Sequence, residues 1–161
     1  MDKENQAEHE FEVLSLSKAA LYLLEECRMV LPGMQALFGF QLVVVFSQTF
    51  GEKLSNHEQI LHLVALSMVV VAIALVMTPA AIHRRTGSKK VTNHFVESST
   101  RLLLWSMFPL LLGICIDLYL IARIILKSTL IAAAVSFAAC VVFLILWFLY
   151  PRSAFGKSGK T

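Results

Sequence analysis

Asp117 is an acidic side chain within a long apolar stretch of the sequence, which makes it the first candidate for chemistry. An ionisable group inside a membrane costs about 2.5–3.5 kcal/mol at the centre of a helix, so it needs a partner. The residues three and four positions away, which share its helix face, are all apolar or glycine. The partner must therefore come from another helix, and depth along the predicted helices favours His62 and Gln48.

This predicted cluster of Asp117, His62 and Gln48 has two interpretations. An imidazole beside a buried carboxyl group can exchange a proton near neutral pH, which would make a proton-responsive site. Alternatively, the same groups hydrogen-bond neighbouring helices to one another, or the acid extends toward the polar boundary of the membrane. The substitution Asp117→Asn separates the two interpretations, because an amide keeps the hydrogen bonds and loses the exchangeable proton.

Three amides lie in the first apolar stretch, at Gln35, Gln41 and Gln48. Gln41 and Gln48 are seven residues apart and share a helix face, whereas Gln35 points elsewhere. Such amides either bind helices together or line a path for water or ions. We therefore treat this polar face as a second candidate site.

A basic segment follows the second apolar stretch. Lysine and arginine accumulate in the cytoplasmic loops of membrane proteins, so we interpret this segment as a positive-inside stop signal. Its members are His83, Arg84, Arg85, Lys89, Lys90 and Arg101.

No other group of residues indicates catalysis or a bound group. The three cysteines have no C-x-x-C spacing. The sequence also contains no Gly-rich phosphate loop, no H-E-x-x-H zinc motif and no G-x-S-x-G nucleophile motif. We therefore expect no enzyme activity, no metal and no cofactor. The net charge of +3 is too small to indicate a nucleic-acid partner.

The elements that must position these residues are helices that span a membrane. Of the 161 residues 57% are hydrophobic and 16% are charged, whereas about a quarter of a soluble domain is charged. A bilayer needs about 20 apolar residues per helix, and four stretches reach this length, at residues 31–50, 59–82, 102–122 and 129–150. The sequence predicts an all-α membrane protein, a four-transmembrane-helix antiparallel bundle. Ser55 and Glu58 have the spacing of a capping box that begins the second helix.

The distribution of charge predicts how these helices are oriented. Eleven of the 14 Lys and Arg residues lie in the N-terminal segment, in the loop between the second and third spans, or in the C-terminal tail. The positive-inside rule therefore places both termini in the cytoplasm. An antiparallel dimer would need balanced loops, so a homo-oligomer of this chain is expected to be parallel.

The segment before the first span predicts an amphipathic cytoplasmic helix over residues 10–28. It follows residues 1–9, expected to be disordered, and a flexible tail is expected over 151–161. The helix is acidic overall, so it either contacts a partner protein or packs against the cytoplasmic end of the bundle itself. Its apolar stripe consists of Val13, Leu16, Ala20, Leu23, Cys27 and Val30.

Two short motifs resemble a known family. They are Leu-Pro-Gly-x-Gln at residues 31–35 and Pro-Ala-Ala-x-His-Arg at residues 79–84. The sequence around them, from about Glu25 to Tyr150, resembles a bacterial family of small four-helix membrane proteins of unknown function. Some members carry automatic labels as sodium:proton antiporters. The resemblance implies a multi-pass protein of the bacterial cytoplasmic (inner) membrane, and it assigns no role to any residue.

Two functions follow as hypotheses. The first is a non-enzymatic scaffold or regulator that lies in the lipid bilayer and contacts another membrane protein, or a second copy of itself, through its helices. The small side chains of the fourth span, from Ala132 to Cys140, would allow such close contact. The alternative is an oligomeric proton or cation pathway that uses Asp117. Antiporters normally require more helices than four, so this pathway needs an oligomer.

Overall fold

The computed structural model describes the backbone of residues 2–86 and 93–150. Side chains are described from residue 16 onward within those ranges, except at positions 49 and 86. The predicted C-terminal tail, Lys89 and Lys90 of the basic segment, and the side chain of Val13 lie outside the described residues.

Every regular element in the described part of the chain is helical. The helices are α1 (Asp2–Val45), α2 (Gln48–Lys53), α3 (Asn56–Thr86), α4 (Asn93–Leu126) and α5 (Thr129–Leu144), and α5 continues into a π-helical turn (Ile145–Leu149). Four segments are long and apolar enough to cross a membrane, at Leu16–Val45, Asn56–Arg85, Asn93–Leu126 and Thr129–Leu149. The structure thus confirms four long apolar helices that could span a membrane, whereas their antiparallel arrangement and their orientation stay predictions.

Helix α1 continues without a break from the N-terminal segment into the first span. Ala20, Leu23 and Cys27 of the predicted apolar stripe are buried, and Val30 is 41% exposed. Beyond Cys27 the buried positions follow at intervals of seven, at Met34 and Gln41. Val30 therefore does not lie on the buried face of α1, although the predicted stripe included it.

The turn between α1 and α3 is built from short local hydrogen bonds. Helix α1 ends at Val45, and the backbone N–H of Ser47 donates to the Val44 carbonyl at 3.1 Å. After the short helix α2, the backbone N–H and hydroxyl of Ser55 both donate to the carboxylate of Glu58, at 2.9 and 2.8 Å. The predicted start of the second spanning helix is thus confirmed, since the carboxylate satisfies a donor that the helix itself leaves free.

The chain divides into two compact units, which we describe separately. The first unit consists of Met1–Leu37 and Val71–Ser106, and the second consists of Phe38–Val70 and Met107–Thr161. Ala20, Leu23 and Val76 are among the buried apolar side chains of the first unit. The core of the second unit includes Leu111 and Ala132.

Candidate functional site

Gly113 sets the distance between α3 and α4 in the second unit. A Cβ atom built on this glycine would lie 3.1 Å from the backbone oxygen of Ala65 and 3.0 Å from a methyl carbon of Val69. Contacts this short are uncommon for a Cβ atom, so a residue with a side chain would force its neighbours to shift, and glycine suits this approach of the two helices. Asp117 follows Gly113 by four residues and His62 precedes Ala65 by three, so each lies one turn from the close contact.

The close approach brings the carboxylate of Asp117 to the imidazole of His62. Nδ1 of His62 lies 3.1 Å from Oδ1 of Asp117, and the two side chains are 7% and 15% exposed. The second carboxylate oxygen accepts a hydrogen bond from the side-chain amide of Gln41. Residues on three helices, α1, α3 and α4, are therefore joined at Asp117. We call His62, Asp117 and Gln41 the polar cluster.

The second ring nitrogen of His62 also has a partner within the polar cluster. Nε2 lies 3.0 Å from the backbone carbonyl oxygen of Gln41. A neutral imidazole has one donor nitrogen and one acceptor nitrogen, whereas both partners here offer acceptor oxygens. One ring nitrogen of a neutral His62 can therefore donate to its oxygen partner, and the tautomer decides which nitrogen does so.

Two further features complete the surroundings of His62. The ring of Phe50 lies against the imidazole edge at a centroid distance of 5.4 Å and an interplanar angle of 65°. The side-chain oxygen of Gln41 is buried without a hydrogen-bond partner in the described part of the chain. An aromatic ring therefore packs against the cluster, and the side-chain oxygen of Gln41 is its one acceptor without a partner among the described residues.

The structure places Asp117 beside His62, and the third residue beside them is Gln41 rather than the predicted Gln48. Gln48 begins the short helix α2, and its side chain is exposed. The prediction extended the first helix to Phe50, and on that helix Gln48 would share a face with Gln41. Because α1 ends at Val45, the following turn takes Gln48 away from that face.

The remaining predicted site residues lie apart from the cluster. Gln35 is exposed, as are Arg84 and Arg85. His83 is half-buried, and its ring lies 6.0 Å from the ring of Phe95. Arg101 forms a local ion pair with Glu97 at 2.7 Å on the same helix.

A second polar group, which the sequence did not indicate, lies elsewhere in the second unit. Arg123 lies 3.4 Å from the carboxylate of Glu58, the capping residue of α3. Together with Lys53 and Lys127 these two residues line a cleft of about 460 Å³. Lys127 has a left-handed backbone (φ 53°), and its N–H donates to the Arg123 carbonyl at 3.0 Å, which ends α4.

Neither group resembles a metal centre. Among the residues that the structure describes, no three His, Cys, Asp or Glu side chains lie close enough together to hold a metal ion. Cys27, Cys115 and Cys140 are free thiols. In the second unit the hydroxyl of Ser136 donates to the backbone oxygen of Cys115 at 2.7 Å, which links α5 to α4.

Comparison with known proteins identifies a family and no activity. The family model DUF6328, described as a family of unknown function, matches residues 10–151. No curated protein and no solved structure matches the chain.

Proposed function

Because the chain belongs to the family DUF6328, whose function is unknown, we propose a function from the geometry of the polar cluster. The protein acts as a non-enzymatic scaffold or regulator in a membrane. It does so through contacts between its own helices and those of another membrane protein or of a second copy of itself.

The observation that carries this proposal is that Asp117 and His62 both find their hydrogen-bond partners within the chain. Both carboxylate oxygens of Asp117 and both ring nitrogens of His62 have partners in the chain. An acid that carries ions through a membrane faces a water-filled cavity and exchanges its partners. An acid whose oxygens both bind neighbouring helices holds those helices in one register instead. Internal satisfaction therefore supports a structural role for the cluster.

The surface available for a partner is widest on α5. Ala132 is the buried residue of this helix. Ala134 and Ala138 are exposed and lie four residues apart, so they share one face. Small residues at this spacing let a second helix approach closely in a membrane. We propose this face as the contact with the partner.

Chemical crosslinking of the full-length protein in its native membranes tests the proposed contact. We expect a crosslinked oligomer or heteromer with the natural chain, and its loss when Ala134→Leu and Ala138→Leu are combined. Ala133→Leu is the matched control, because Ala133 is also exposed and points about 100° away from Ala134 around the helix. Equal crosslinking in the double variant and the control would reject this face, and no crosslinked product in the natural chain would reject the scaffold.

A second candidate function rests on the pairing of two ionisable groups in the cluster. The imidazole of His62 lies 3.1 Å from the carboxylate of Asp117, on helices long and apolar enough to cross a membrane. A pathway for protons or cations through an oligomer of this chain would use this pair. The alternative therefore names Asp117 as the acid that gains and loses a proton.

Proteoliposomes loaded with a pH-sensitive dye separate the two candidates. The scaffold proposal expects no proton flux above that of empty liposomes, both for the natural chain and for Asp117→Asn. Flux that the natural chain supports and Asp117→Asn abolishes would replace the scaffold with the pathway. Absence of flux from a sample verified as a dimer or larger oligomer would reject the pathway.

A further inference from the structure

A cleft in the first unit has an apolar wall. It encloses about 350 Å³, within the range of about 300–1,000 Å³ that is typical of small-ligand sites. Residues of α1 and α3 line it, and one of these residues, Val76, is buried. Ala80 leaves room in the wall because its side chain is a single methyl group. The other apolar members of the wall include Leu31 and Met77.

The same cleft has a basic rim. Arg28 of α1 and His83 and Arg84 of α3 line it beside the apolar wall. The carboxylate of Glu25 lies 3.6 Å from Arg28, and both side chains are more than half exposed. An exposed pair of this kind contributes little free energy, so it leaves the guanidinium available to an anion. Arginine is well suited to phosphate because its planar group donates two parallel hydrogen bonds.

The rim lies where the apolar part of the helix ends. Ile82 is the last apolar residue of α3 before His83, Arg84 and Arg85. Basic side chains at the end of a spanning segment lie at the depth of lipid headgroups, and the apolar residues before them lie at the depth of acyl chains. A ligand that fills both parts of the cleft must therefore be amphiphilic and negatively charged.

We propose that this cleft is a binding site for an anionic phospholipid. The phosphate binds to Arg28, Arg84 and His83, and one acyl chain lies against Leu31, Met77 and Ala80. Basic pockets between spanning helices bind acidic lipid headgroups through this combination of charge and apolar surface. Inorganic phosphate could bind to the basic rim, but it has no part that would cover the apolar wall. A phospholipid has both a phosphate for the rim and an acyl chain for the wall.

The two sequence motifs that carry the family resemblance both contribute to this cleft. Leu31 begins the Leu-Pro-Gly-x-Gln motif, whereas Ala80, His83 and Arg84 belong to the Pro-Ala-Ala-x-His-Arg motif. The motifs are about 50 residues apart in the chain and meet at one surface. Two residues of the basic segment that the sequence analysis interpreted as a stop signal, His83 and Arg84, would thus also bind the lipid phosphate. This inference is independent of the scaffold proposal.

Native mass spectrometry of the purified full-length protein tests the site. The protein in detergent is titrated with phosphatidylglycerol, with phosphatidylcholine of the same acyl chains, and with inorganic phosphate. We expect saturable binding of one phosphatidylglycerol, weaker binding of phosphatidylcholine and no comparable binding of phosphate. Arg84→Gln should weaken phosphatidylglycerol binding roughly fivefold, the usual contribution of one basic residue near an anionic lipid surface.

Neighbouring residues provide matched controls for both parts of the cleft. Arg85→Gln removes the same charge one position away, and Arg85 does not line the cleft. Ala80→Leu fills the apolar wall, whereas Ala81→Leu adds the same volume to an exposed position outside the cleft. The proposal requires that Arg84→Gln and Ala80→Leu weaken binding and that their two controls do not. All four variants should keep the helical circular dichroism of the natural chain.

Three outcomes would overturn the proposal. Equal loss of binding in Arg84→Gln and Arg85→Gln would show that the lipid is attracted to the positive charge of the whole segment and not bound in the cleft. Binding of phosphate alone with the affinity of phosphatidylglycerol, unchanged in Ala80→Leu, would show a site for a free anion. Equal binding of phosphatidylcholine and phosphatidylglycerol would show that the basic rim does not select the headgroup.

Discussion

In the second unit, buried side chains hydrogen-bond from one helix to another, through the polar cluster and through Ser136. In the first unit, the buried hydroxyl of Ser99 has no hydrogen-bond partner in the described part of the chain. The polar contacts that we describe there are local, such as the pairs of Arg28 and Arg101 with glutamates of their own helix. The second unit also buries an atom without a partner among the described residues, the side-chain oxygen of Gln41. The two units therefore differ in the reach of the hydrogen bonds and ion pairs that we describe, which join separate helices in the second unit and stay within one helix in the first.

Apolar contacts and hydrogen bonds between helices have different effects inside a membrane. Lipid tails are as apolar as leucine, so apolar packing between helices competes with lipid on nearly equal terms. A hydrogen bond between helices has no equivalent partner in lipid and fixes one register. The second unit is therefore suited to holding helices in place, whereas the apolar cleft of the first unit is suited to admitting a lipid chain.

The largest expected effect comes from removing the centre of the polar cluster. Asp117→Ala leaves His62 and the amide of Gln41 buried without their partner, which should lower the free energy of unfolding by about 3 kcal/mol. Asp117→Asn is the control, because the amide can still accept from Gln41 and pair with the ring. Unfolding in mixed micelles of increasing denaturing detergent measures both. Equal losses would mean that charge, rather than hydrogen bonding, stabilises the cluster.

The next effect tests the close approach of α3 and α4. Gly113→Ala places a methyl group 3.1 Å from a backbone oxygen that cannot rotate away, so we expect a loss of about 1–3 kcal/mol in the same measurement. Gly39→Ala in the same unit is the control, since a Cβ there meets nothing within 4 Å. A glycine replaced by alanine in an open helical position is neutral or stabilising. Destabilisation of both variants alike would contradict the close approach.

A smaller effect tests which glutamine belongs to the cluster. Gln41→Ala removes the donor to Oδ2 of Asp117 and should cost about 1 kcal/mol, in the range measured for hydrogen bonds between helices in membranes. Gln48→Ala should leave the unfolding free energy unchanged, because this side chain is exposed on α2. A larger loss of unfolding free energy in Gln48→Ala than in Gln41→Ala would instead support the longer first helix that the sequence predicted.

The smallest effect is expected from replacing a serine by alanine, which we compare between the two units. Ser136→Ala removes a hydroxyl that donates to the backbone of α4, and a loss of about 0.6 kcal/mol is typical. Ser99→Ala removes a buried hydroxyl without a partner, so it should leave stability unchanged or raise it. Losses of the same size in both variants would remove the contrast between the units.

The sequence predicts the spanning helices well because length and hydropathy are local properties. The four long apolar helices follow from length and hydropathy. The capping contact between Ser55 and Glu58 follows from the spacing of these two residues. The end of the first helix was placed five residues too late, because residues 46–50 carry no charge that would end the span. Ser47 and Gly51 near this point were the available signals of a turn.

The site is predictable only where chemistry demands a partner. A single acid within an apolar stretch required another polar group, and depth along the helices selected His62, which the structure places 3.1 Å from Asp117. Depth along an overlong helix selected Gln48 over Gln41, and that choice was wrong. The cleft with the basic rim could not be predicted, since its two walls come from segments far apart in the chain. Neither a charge nor an alanine indicates by itself which distant residue it will face.

A double-mutant cycle between His62 and Asp117 tests the central claim, that the polar cluster holds its helices together. Unfolding free energies are measured for His62→Ala, Asp117→Ala and the double variant in the same detergent series. Each single change leaves the other group buried without this partner, so the double variant should lose less than the sum of the two. We predict a coupling free energy of at least about 1 kcal/mol. Additive losses, with a coupling free energy near zero, would contradict it.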